Sequence, residues 1–316
     1  MSISIDEELE RRFLLQEEYL RDCKPVNKID PLVSVTVITY QQASYIKDCL
    51  DGILMQKTDF PYEIIIGEDG SNDGTREICL AYADKHPDKI RLFLRDRTIS
   101  HYNSENRSVQ FNGIFTRKSA RGKYTAICEG DDYWIDPNKL NKQVDFLERN
   151  MNCSVCFHNA FIIDESLINY TGCFNIPRNK DIFTTKCLFE NFWFVPTASI
   201  FFRTTALPKK YPEWYLNAYN RDLALLFLLS KQGVLGVIKG YLSVYRRNAI
   251  NSLTLQAKKR PDFYILKLVA LLKSANLYFD RRYENETKRM CSKLKNKVMI
   301  IRIIRLIRAL IQRFVI

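Results

Sequence analysis

The stretch that decides the fold is Tyr124-Thr125-Ala126-Ile127-Cys128-Glu129-Gly130-Asp131-Asp132-Tyr133-Trp134. In it, an extended and mostly apolar run leads directly into the three carboxylates of Glu129, Asp131 and Asp132. Like charges spaced so closely repel one another, so a cation is needed to make such a cluster favourable at a strand end. Hard oxygen ligands of this kind suit Mg²⁺ or Mn²⁺. A solvated acidic turn is the alternative that this stretch alone leaves open.

Upstream of this stretch, apolar strands alternate with helices of ordinary length. Val33–Thr39 is β-branched almost throughout, as expected of a strand buried in a parallel sheet. Such alternation indicates a parallel or mixed sheet with helices on its faces, so we predict an α/β fold. The predicted elements here are strand 33–39, helix 44–56, strand 63–66, helix 76–86, strand 90–94 and strand 124–128.

Three polar clusters follow predicted strands at the point where each strand ends. They are Thr39-Tyr40, Glu68-Asp69 and Glu129–Asp132. Ligands of open α/β sheets bind at the carboxyl ends of the strands, so we expect these clusters to share one crevice. The run from Asp69 to Gly74 also has the composition of a turn that caps the following helix. We expect Asp73 to cap this helix while Asp69 faces the crevice.

The net charge of +12 is concentrated in the last part of the chain. Residues 258–316 hold 16 Lys and Arg against 4 Asp and Glu, so residues 1–257 balance to zero. Hydrophobic residues make up 46% of the 316 residues, which is typical of a packed globular protein and excludes a disordered one.

Nine cysteines lie scattered in a chain whose first residues mix acidic and basic side chains and lack an apolar signal segment. Reduced thiols in a cytoplasmic protein are the expected state. Cys153-x-x-Cys156 with His158 nearby resembles half of a zinc site, and no second pair completes it. We expect these cysteines to be core residues of a strand at 154–157.

In the order and spacing of its motifs, the chain resembles glycosyltransferase family 2, whose members bind nucleotide-sugars in the GT-A fold. The resemblance covers most of the chain, from about residue 33 to about residue 248. The run that continues through Asp136-Pro137 and Lys139-Leu140 is especially similar to bacterial capsule and O-antigen transferases. The resembling segments are 33–40 with Gln56 (strand, TYN turn and helix), 64–75 (DDxSxDGT) and 120–132 (A-x-G-x-Y…DxDD).

The resemblance implies a nucleotide-diphosphate sugar as the donor, with a UDP-sugar expected, and Mn²⁺ or Mg²⁺ as the cofactor. It assigns Asp132 and Asp131 to the metal, with Glu129 shaping the site. Asp69 and Glu68 are assigned to the base and ribose of the nucleotide. The remaining residues implied for nucleotide-sugar binding are Thr39, Tyr40, Asp131 again and Arg246. Ordinary surface charge is the alternative for Arg246.

The second half of the chain is expected to form the acceptor side. Asp222 precedes an apolar helix at 223–229 and matches the general base of the family; a helix-terminal carboxylate favoured by the dipole is the alternative. A strand at 200–203 is expected to close this side. Trp134 and Trp214 are candidate acceptor residues, and for Trp214 a place in the core is an open alternative.

The C-terminal segment 295–316 has the pattern of an amphipathic helix. Its basic residues fall on one half of the helix and its apolar residues on the other. Recurring arginines argue against a spanning helix and favour one that lies on an anionic membrane. Packing on the catalytic domain, or on a second copy in a homo-oligomer, is the alternative. Nucleic acid is not expected as a partner, because no binding module is visible.

The predicted organisation has three parts: a helical lead-in at 1–30, a GT-A domain at 31–255 and a basic helical extension at 256–316. The nucleotide-binding half spans about 31–135 and the acceptor half about 136–255. The predicted function is inverting, metal-dependent sugar transfer to a lipid-linked or polysaccharide acceptor in surface glycan synthesis. The expected location is the inner face of the cell membrane. The alternatives are a sugar-nucleotidyltransferase and a catalytically silent, membrane-tethered scaffold.

Overall fold

The structure, a computed structural model, describes residues 4–104, 107–165, 169–177, 180–191, 193–250 and 252–314. Side chains of the last helix are described as far as Arg305. The molecule is an α/β protein with one large mixed sheet and a small hairpin beside it.

The first half of the chain carries most of the parallel strands. Its helices are α1 (Ile5–Phe13), α2 (Ile46–Leu54), α3 (Thr75–Lys85), α4 (Arg97–Ser100), α5 (Asn112–Lys118) and α6 (Lys139–Arg149). Its strands are β1 (Glu17–Glu18), β2 (Val33–Thr39), β3 (Tyr62–Glu68), β4 (Ile90–Leu94), β5 (His101–Ser104), β6 (Arg107–Gln110), β7 (Tyr124–Glu129) and β8 (Tyr133–Trp134).

The second half completes the sheet and ends in a helical region. Its strands are β9 (Cys153–Asp164), β10 (Asn169–Cys173), β11 (Ile182–Phe183), β12 (Phe201–Arg203) and β13 (Val234–Arg247). Its helices are α7 (Thr185–Glu190), α8 (Glu213–Leu216), α9 (Arg221–Ser230), α10 (Leu253–Lys259), α11 (Pro261–Tyr278) and α12 (Glu284–Phe314).

The strand order of the large sheet is β1-β4-β3-β2-β7-β12-β9-β13-β11, with β8 paired to β13 and β10 to β9. Strands β4, β3, β2 and β7 run parallel, so their carboxyl ends meet at one end of the sheet. Strand β12 is antiparallel to both of its neighbours, β7 and β9. The mixed sheet predicted from the sequence is therefore confirmed.

Two large apolar cores and a small one around Ala160 and Ile162 cover the sheet. One large core packs the alternating side chains Val33, Val35 and Val37 of β2 against α2, α3 and α6. The other large core is built mainly from α5, α9, α11 and the first half of α12. Cys153 and Cys156 are buried core residues of β9, as the sequence predicts. Burial of this kind holds the parallel strands in register and so positions the loops at their carboxyl ends.

The first helix is shorter than the sequence indicates. The lead-in at 1–30 is predicted to be helical, with a polar helix over 6–22, but α1 ends at Phe13. Glu17 and Glu18 instead form β1, which pairs antiparallel with the Phe93–Leu94 end of β4. The sequence pattern of polar residues does not reveal this pairing, because the partner strand lies far along the chain.

The last helix packs on the domain through one side. Met290, Leu294 and Val298 of α12 are buried in the same core as α11. Met299, Ile300 and Ile303 are 57%, 53% and 46% exposed, so an apolar stripe remains uncovered along the described part. Arg308 and Arg313, two of the basic residues predicted to face the membrane, lie beyond the described side chains. Within the part of the chain that the structure describes, no helix is long and apolar enough to cross a membrane.

Candidate active site

The three polar clusters predicted at strand ends lie side by side in the structure. Thr39, Glu68 and Glu129 are the last residues of β2, β3 and β7. Strand pairing places Thr39 beside Glu68, and Ile38 beside Glu129. The Asp69 N–H donates to the Thr39 carbonyl over 3.1 Å. One group of polar side chains therefore forms at the carboxyl end of the parallel strands.

Gly130 allows the loop after β7 to pass close to the turn after β2. A Cβ at this position would lie 2.4 Å from Gln42 Oε1 and 2.9 Å from Thr39 Oγ1, so a larger residue does not fit. Both of these oxygens are buried and have no hydrogen-bond partner. Since buried polar atoms are nearly always paired in folded proteins, such unpaired acceptors are typical of a ligand site.

Asp132 is held by the end of β13. It is 1% exposed, and its Oδ1 accepts the Arg246 N–H over 3.0 Å. Its Oδ2 is buried without a partner. The Arg246 guanidinium donates to the Asp131 carbonyl over 3.0 Å and forms ion pairs with Asp48 and Glu165. Arg246 thus fixes the acidic loop with protein acceptors, and its predicted contact with phosphate stays a prediction.

Three neighbouring carboxylates, those of Glu129, Asp131 and Asp132, have a raised pKa, and the charge of Asp222 contributes to each rise. Burial raises the pKa of Glu129 and Asp132 well above the usual range, and the nearby charges of Asp131 and Asp222 raise both further. Burial also raises the pKa of Asp131 to about 6, with Asp222 again adding to the rise. Such mutual repulsion favours binding of a cation or a proton.

Asp222 joins this cluster from the second half of the chain. It is the second residue of α9, and its Oδ2 accepts the Thr197 hydroxyl over 3.0 Å. Burial raises the pKa of Asp222. The side chain of Asn220, not that of Asp222, caps α9 by accepting the Leu223 N–H over 2.9 Å. Asp222 therefore lies in the first turn of α9 without capping it, in a place where the helix dipole favours a carboxylate, and its role as the general base stays a prediction.

Asp69 forms a second acidic position beside β2. It is 5% exposed, its Oδ2 lies 2.9 Å from His101 Nε2, and its Oδ1 is buried without a partner. The Arg97 guanidinium lies 3.9 Å from the centre of the Tyr40 ring next to it. A free carboxylate oxygen beside a stacked ring offers both an acceptor for an N–H and a flat surface, which a nucleobase requires.

Glu68 has its carboxylate oxygens engaged within the protein. One accepts the Ser71 N–H over 2.7 Å, and the other pairs with Arg76. Asp73 accepts the Thr75 N–H over 3.1 Å just before α3, whose N-cap is Gly74 and not Asp73 as predicted. In this geometry Glu68 holds the turn after β3. Its assignment to the nucleotide stays a prediction.

The carboxylates fit a divalent ion that is shared with a ligand. Among the described residues, no group of three or more His, Cys, Asp and Glu side chains is arranged as a metal site. Mg²⁺, however, is usually held by one or two carboxylates together with the phosphates of a substrate. The unpaired Oδ2 of Asp132, inside a cluster of carboxylates, suits this mode of binding.

The two tryptophans differ from the expectation. Trp134 is 1% exposed, its indole N–H donates to the Ala198 carbonyl over 2.9 Å, and Lys139 Nζ lies 3.7 Å from its ring centre. The prediction of an acceptor role for Trp134 is wrong, because no substrate reaches a ring enclosed in the core. Trp214 is half-buried against Tyr278 of α11, and its acceptor role stays a prediction.

Three residues of this site were not singled out from the sequence. Gln42 and Thr197 contribute single polar atoms, which leave no recognisable pattern. Asn220 carries a signal that was available, because Asn is a preferred N-cap residue and it directly precedes the predicted helix. With Asn220 as the N-cap, the sequence alone indicates that α9 does not depend on Asp222 for capping.

Comparisons with known proteins place this geometry in a family. The model of glycosyl transferase family 2 matches residues 34–209. An uncharacterized protein of Mycobacterium tuberculosis is 34% identical over 223 residues, which are 69% of this chain and 59% of that protein. An uncharacterized glycosyltransferase of Nostoc is 25% identical over 227 residues, covering 70% of this chain and 66% of that protein. The chain thus spans about three fifths of the length of the mycobacterial relative.

Solved structures share the fold at low sequence identity. TarS 1-349 of S. aureus in complex with UDP-GlcNAc has a TM-score of 0.57 and 16% identity, over 84% of this chain and 71% of that chain. The mannosyltransferase PcManGT of Pyrobaculum calidifontis in complex with GDP-Man and Mn²⁺ has a TM-score of 0.52 and 17% identity, over 84% and 69%. These likenesses concern the GT-A fold, while the family match covers more than half of the sequence. The chain belongs to glycosyl transferase family 2.

Proposed function

We propose that the protein is an inverting, metal-dependent glycosyltransferase. It transfers a sugar from a nucleotide-diphosphate donor, a UDP-sugar, to a hydroxyl group of a lipid-linked or polysaccharide acceptor in surface glycan synthesis. The observation that carries the proposal is the place of Asp222. A residue of the acceptor half lies within electrostatic reach of Glu129, Asp131 and Asp132, although it comes from a distant helix.

Asp222 is suited to accept a proton from the acceptor hydroxyl. Thr197 holds one of its oxygens, which orients the carboxylate, and α9 places it on a rigid element. Burial raises its pKa, which makes a carboxylate a stronger base. An inverting displacement needs such a base on the face of the sugar opposite the leaving nucleotide.

The nucleotide lies on the other side of the cluster in this proposal. The unpaired Oδ1 of Asp69 accepts an N–H of the base, and Tyr40 supports the ring. Asp132 and Asp131 are the residues that would hold a Mn²⁺ or Mg²⁺ ion. Such an ion neutralises the diphosphate of the leaving group as a Lewis acid.

The donor and the reaction are tested together. Thermal unfolding with UDP-GlcNAc, UDP-glucose and GDP-mannose, each with and without Mn²⁺, identifies the donor by its stabilisation of the fold. Release of UDP from the stabilising donor is then followed in time. Metal-dependent hydrolysis or transfer is the expected result. Stabilisation without any turnover by the full-length protein, with all acceptors offered, would instead identify a silent scaffold.

We further propose that α12 places the enzyme on the inner face of the cell membrane. Its uncovered apolar residues Met299, Ile300 and Ile303 lie among exposed Lys295, Lys297 and Arg302. A mixture of exposed apolar and basic side chains on one helix is typical of binding at an anionic lipid surface. Each such cation contributes about 1 kcal/mol near that surface.

Substitution tests this proposal better than deletion, because Val298 is buried and removal of the helix would uncover the core. Sedimentation with anionic vesicles is compared for the wild type and for the triple variant Met299→Ser, Ile300→Ser, Ile303→Ser. We expect the triple variant to stay in the supernatant. The control is Leu277→Ser, which removes a side chain that is 57% exposed on α11. Equal sedimentation of all three proteins contradicts the membrane role, and a monomer formed only by the triple variant indicates a homo-oligomer instead.

A further inference from the structure

Two arginines beside Asp222, the buried Arg117 and the half-buried Arg221, form no ion pair with a carboxylate of the described residues. Arg117 of α5 is 9% exposed. One of its terminal nitrogens donates to the Tyr215 hydroxyl over 2.7 Å, and its Nε is buried without a partner. No carboxylate among the described residues forms an ion pair with Arg117. The buried Arg91, by contrast, forms ion pairs with two carboxylates, those of Glu18 and Glu63.

Arg221 also lies beside Asp222 and also lacks an ion pair with a described carboxylate. It is the residue before Asp222, and its guanidinium donates only to the Leu216 carbonyl, over 3.2 Å, within the described chain. Burial lowers the pKa of Arg221 to about 10, and the positive charge of Arg117 lowers it as well, while Tyr215 and the charge of Asp222 act in the opposite direction. The two guanidinium groups therefore lie close enough to repel each other. Arg221 is partly exposed, so solvent reaches the pair.

Tyrosines complete the surroundings of the pair. Tyr211 and Tyr215 stack with ring centres 5.1 Å apart, and Tyr215 receives the hydrogen bond from Arg117. Neutral hydroxyl groups satisfy individual N–H donors without adding negative charge. Asp222 is the carboxylate whose charge acts on both arginines, so two cations share one anion here. A further anion would therefore meet unused N–H donors and a surplus of positive charge.

We propose that Arg117 and Arg221 form a binding site for an oxyanion of the acceptor, a phosphoryl or carboxylate group close to the hydroxyl that receives the sugar. The guanidinium fork matches both groups, since it presents parallel N–H donors to two oxygens. The position next to Asp222 places this anion on the acceptor side rather than at the nucleotide. The inference rests on the proposed function and narrows its acceptor to an anionic class.

The test uses the full chain and two simple probes. Thermal unfolding is measured during titration with inorganic phosphate and with D-glucuronate, at matched ionic strength, both without nucleotide and with saturating UDP and Mg²⁺. The second condition keeps the phosphate probe away from the donor site. A stabilising effect of phosphate indicates a phosphoryl group on the acceptor, and one of glucuronate a carboxylate.

We expect Arg117→Met and Arg221→Met each to weaken this effect by about 10- to 100-fold in apparent affinity, as is usual for hydrogen bonds to charged groups. Arg117→Lys keeps the charge, loses the fork and is expected to weaken it as well. Arg282→Met is the matched control, because Arg282 is exposed and lies at the turn between α11 and α12, away from Asp222. It should respond like the wild type.

Stability without ligand separates a binding role from a structural one. If the arginine binds an anion, Arg117→Met should melt close to the temperature of the wild type, because Arg117 donates a single hydrogen bond, to Tyr215, and forms no ion pair with a described residue. A melting temperature several degrees lower, together with an unchanged response to both probes, would overturn the proposal. So would an equal response of the wild type and both methionine variants. Calorimetric binding of UDP is measured separately, so failure of the donor proposal is recognised on its own.

Discussion

The buried carboxylate of Glu63, at the amino end of the parallel strands, is fully paired, whereas that of Asp132, at their carboxyl end, is incompletely paired. At the amino end, Glu63 is completely buried, and both of its oxygens are engaged: Ser34 donates over 2.6 Å, and Arg121 and Arg91 form ion pairs at 2.6 and 3.3 Å. At the carboxyl end, Asp132 is buried to the same degree, yet one oxygen has no partner, and burial and the charge of Asp131 raise its pKa although Arg246 lies nearby.

The contrast shows that burial of an acid does not by itself mark a functional site. A buried carboxylate that is fully paired contributes to the fold, and removal of one partner is costly. A buried carboxylate that is left unpaired among others of the same sign lowers the stability of the free protein. It is expected where a ligand or a cation restores the balance.

The largest effect is expected for the reaction itself. Asp222→Asn keeps the size of the side chain and its acceptor for Thr197 but loses the base, so turnover should fall by about 10²–10⁴-fold. Affinity for the donor should stay within a factor of about two. Initial rates of transfer and calorimetric binding of UDP measure the two quantities. Asp262→Asn, at the first turn of α11, is the matched control, and a variant Asp222→Asn as active as this control would mean that the base lies elsewhere.

Substitution of Glu63 at the amino end of the sheet should lower the stability of the fold and leave the rate of sugar transfer unchanged. Glu63→Gln breaks the ion pairs to Arg91 and Arg121, so the free energy of unfolding should fall by about 3–5 kcal/mol. Urea unfolding measures it. The surface pair of Lys123 and Glu148 gives the comparison, because Glu148→Gln should cost less than about 1 kcal/mol. Loss of turnover in folded Glu63→Gln, at unchanged stability, would remove the distinction between the two ends.

A smaller effect, on the pH dependence of stability, is expected from the buried lysine Lys139. Burial lowers the pKa of Lys139 to about 7, so this side chain can become neutral in the folded state. The unfolded chain keeps its proton up to the usual lysine value, and the stability of the fold therefore rises with pH above 7. Each pH unit is worth about 1.4 kcal/mol, so we expect about 2 kcal/mol between pH 7 and pH 8.5.

Urea unfolding of the wild type and of Lys139→Met across this pH range checks the effect. The methionine variant should lack the rise. The conservative control is Lys142→Met, since Lys142 is exposed and paired with Asp136. A parallel pH dependence of the wild type and Lys139→Met would mean that Lys139 stays charged in the fold.

The sequence predicts the strands of the nucleotide half well because local pattern and tertiary role agree there. Strand β2 has the predicted bounds, since its β-branched run is also the buried middle of a parallel sheet. The clusters after β2, β3 and β7 are brought together by strand order alone. Their convergence therefore follows from any parallel arrangement of these strands.

The remaining features depend on partners that are distant in the sequence. The motif around Arg246 predicts a contact with phosphate. Its ion pairs with Asp48 and Glu165 form only in the folded chain and so cannot be predicted from the motif. Trp134 directly follows the acidic loop, so the sequence makes it a candidate for acceptor binding. Pairing of β8 with β13 instead buries its side chain in the core. The lack of an ion pair at Arg117 among the described residues cannot be predicted from the sequence, because it depends on which side chains the fold brings near this arginine.

Calorimetric titration of UDP into the wild type and into Asp132→Asn, with and without Mn²⁺, tests the central claim most directly. The asparagine keeps an acceptor for the Arg246 N–H and removes only the charge, so the fold is preserved. We expect Mn²⁺ to strengthen UDP binding to the wild type at least tenfold and to leave binding to Asp132→Asn unchanged. An equal effect of Mn²⁺ on both proteins would contradict the account, because the unpaired carboxylate would then not be what holds the metal and the donor.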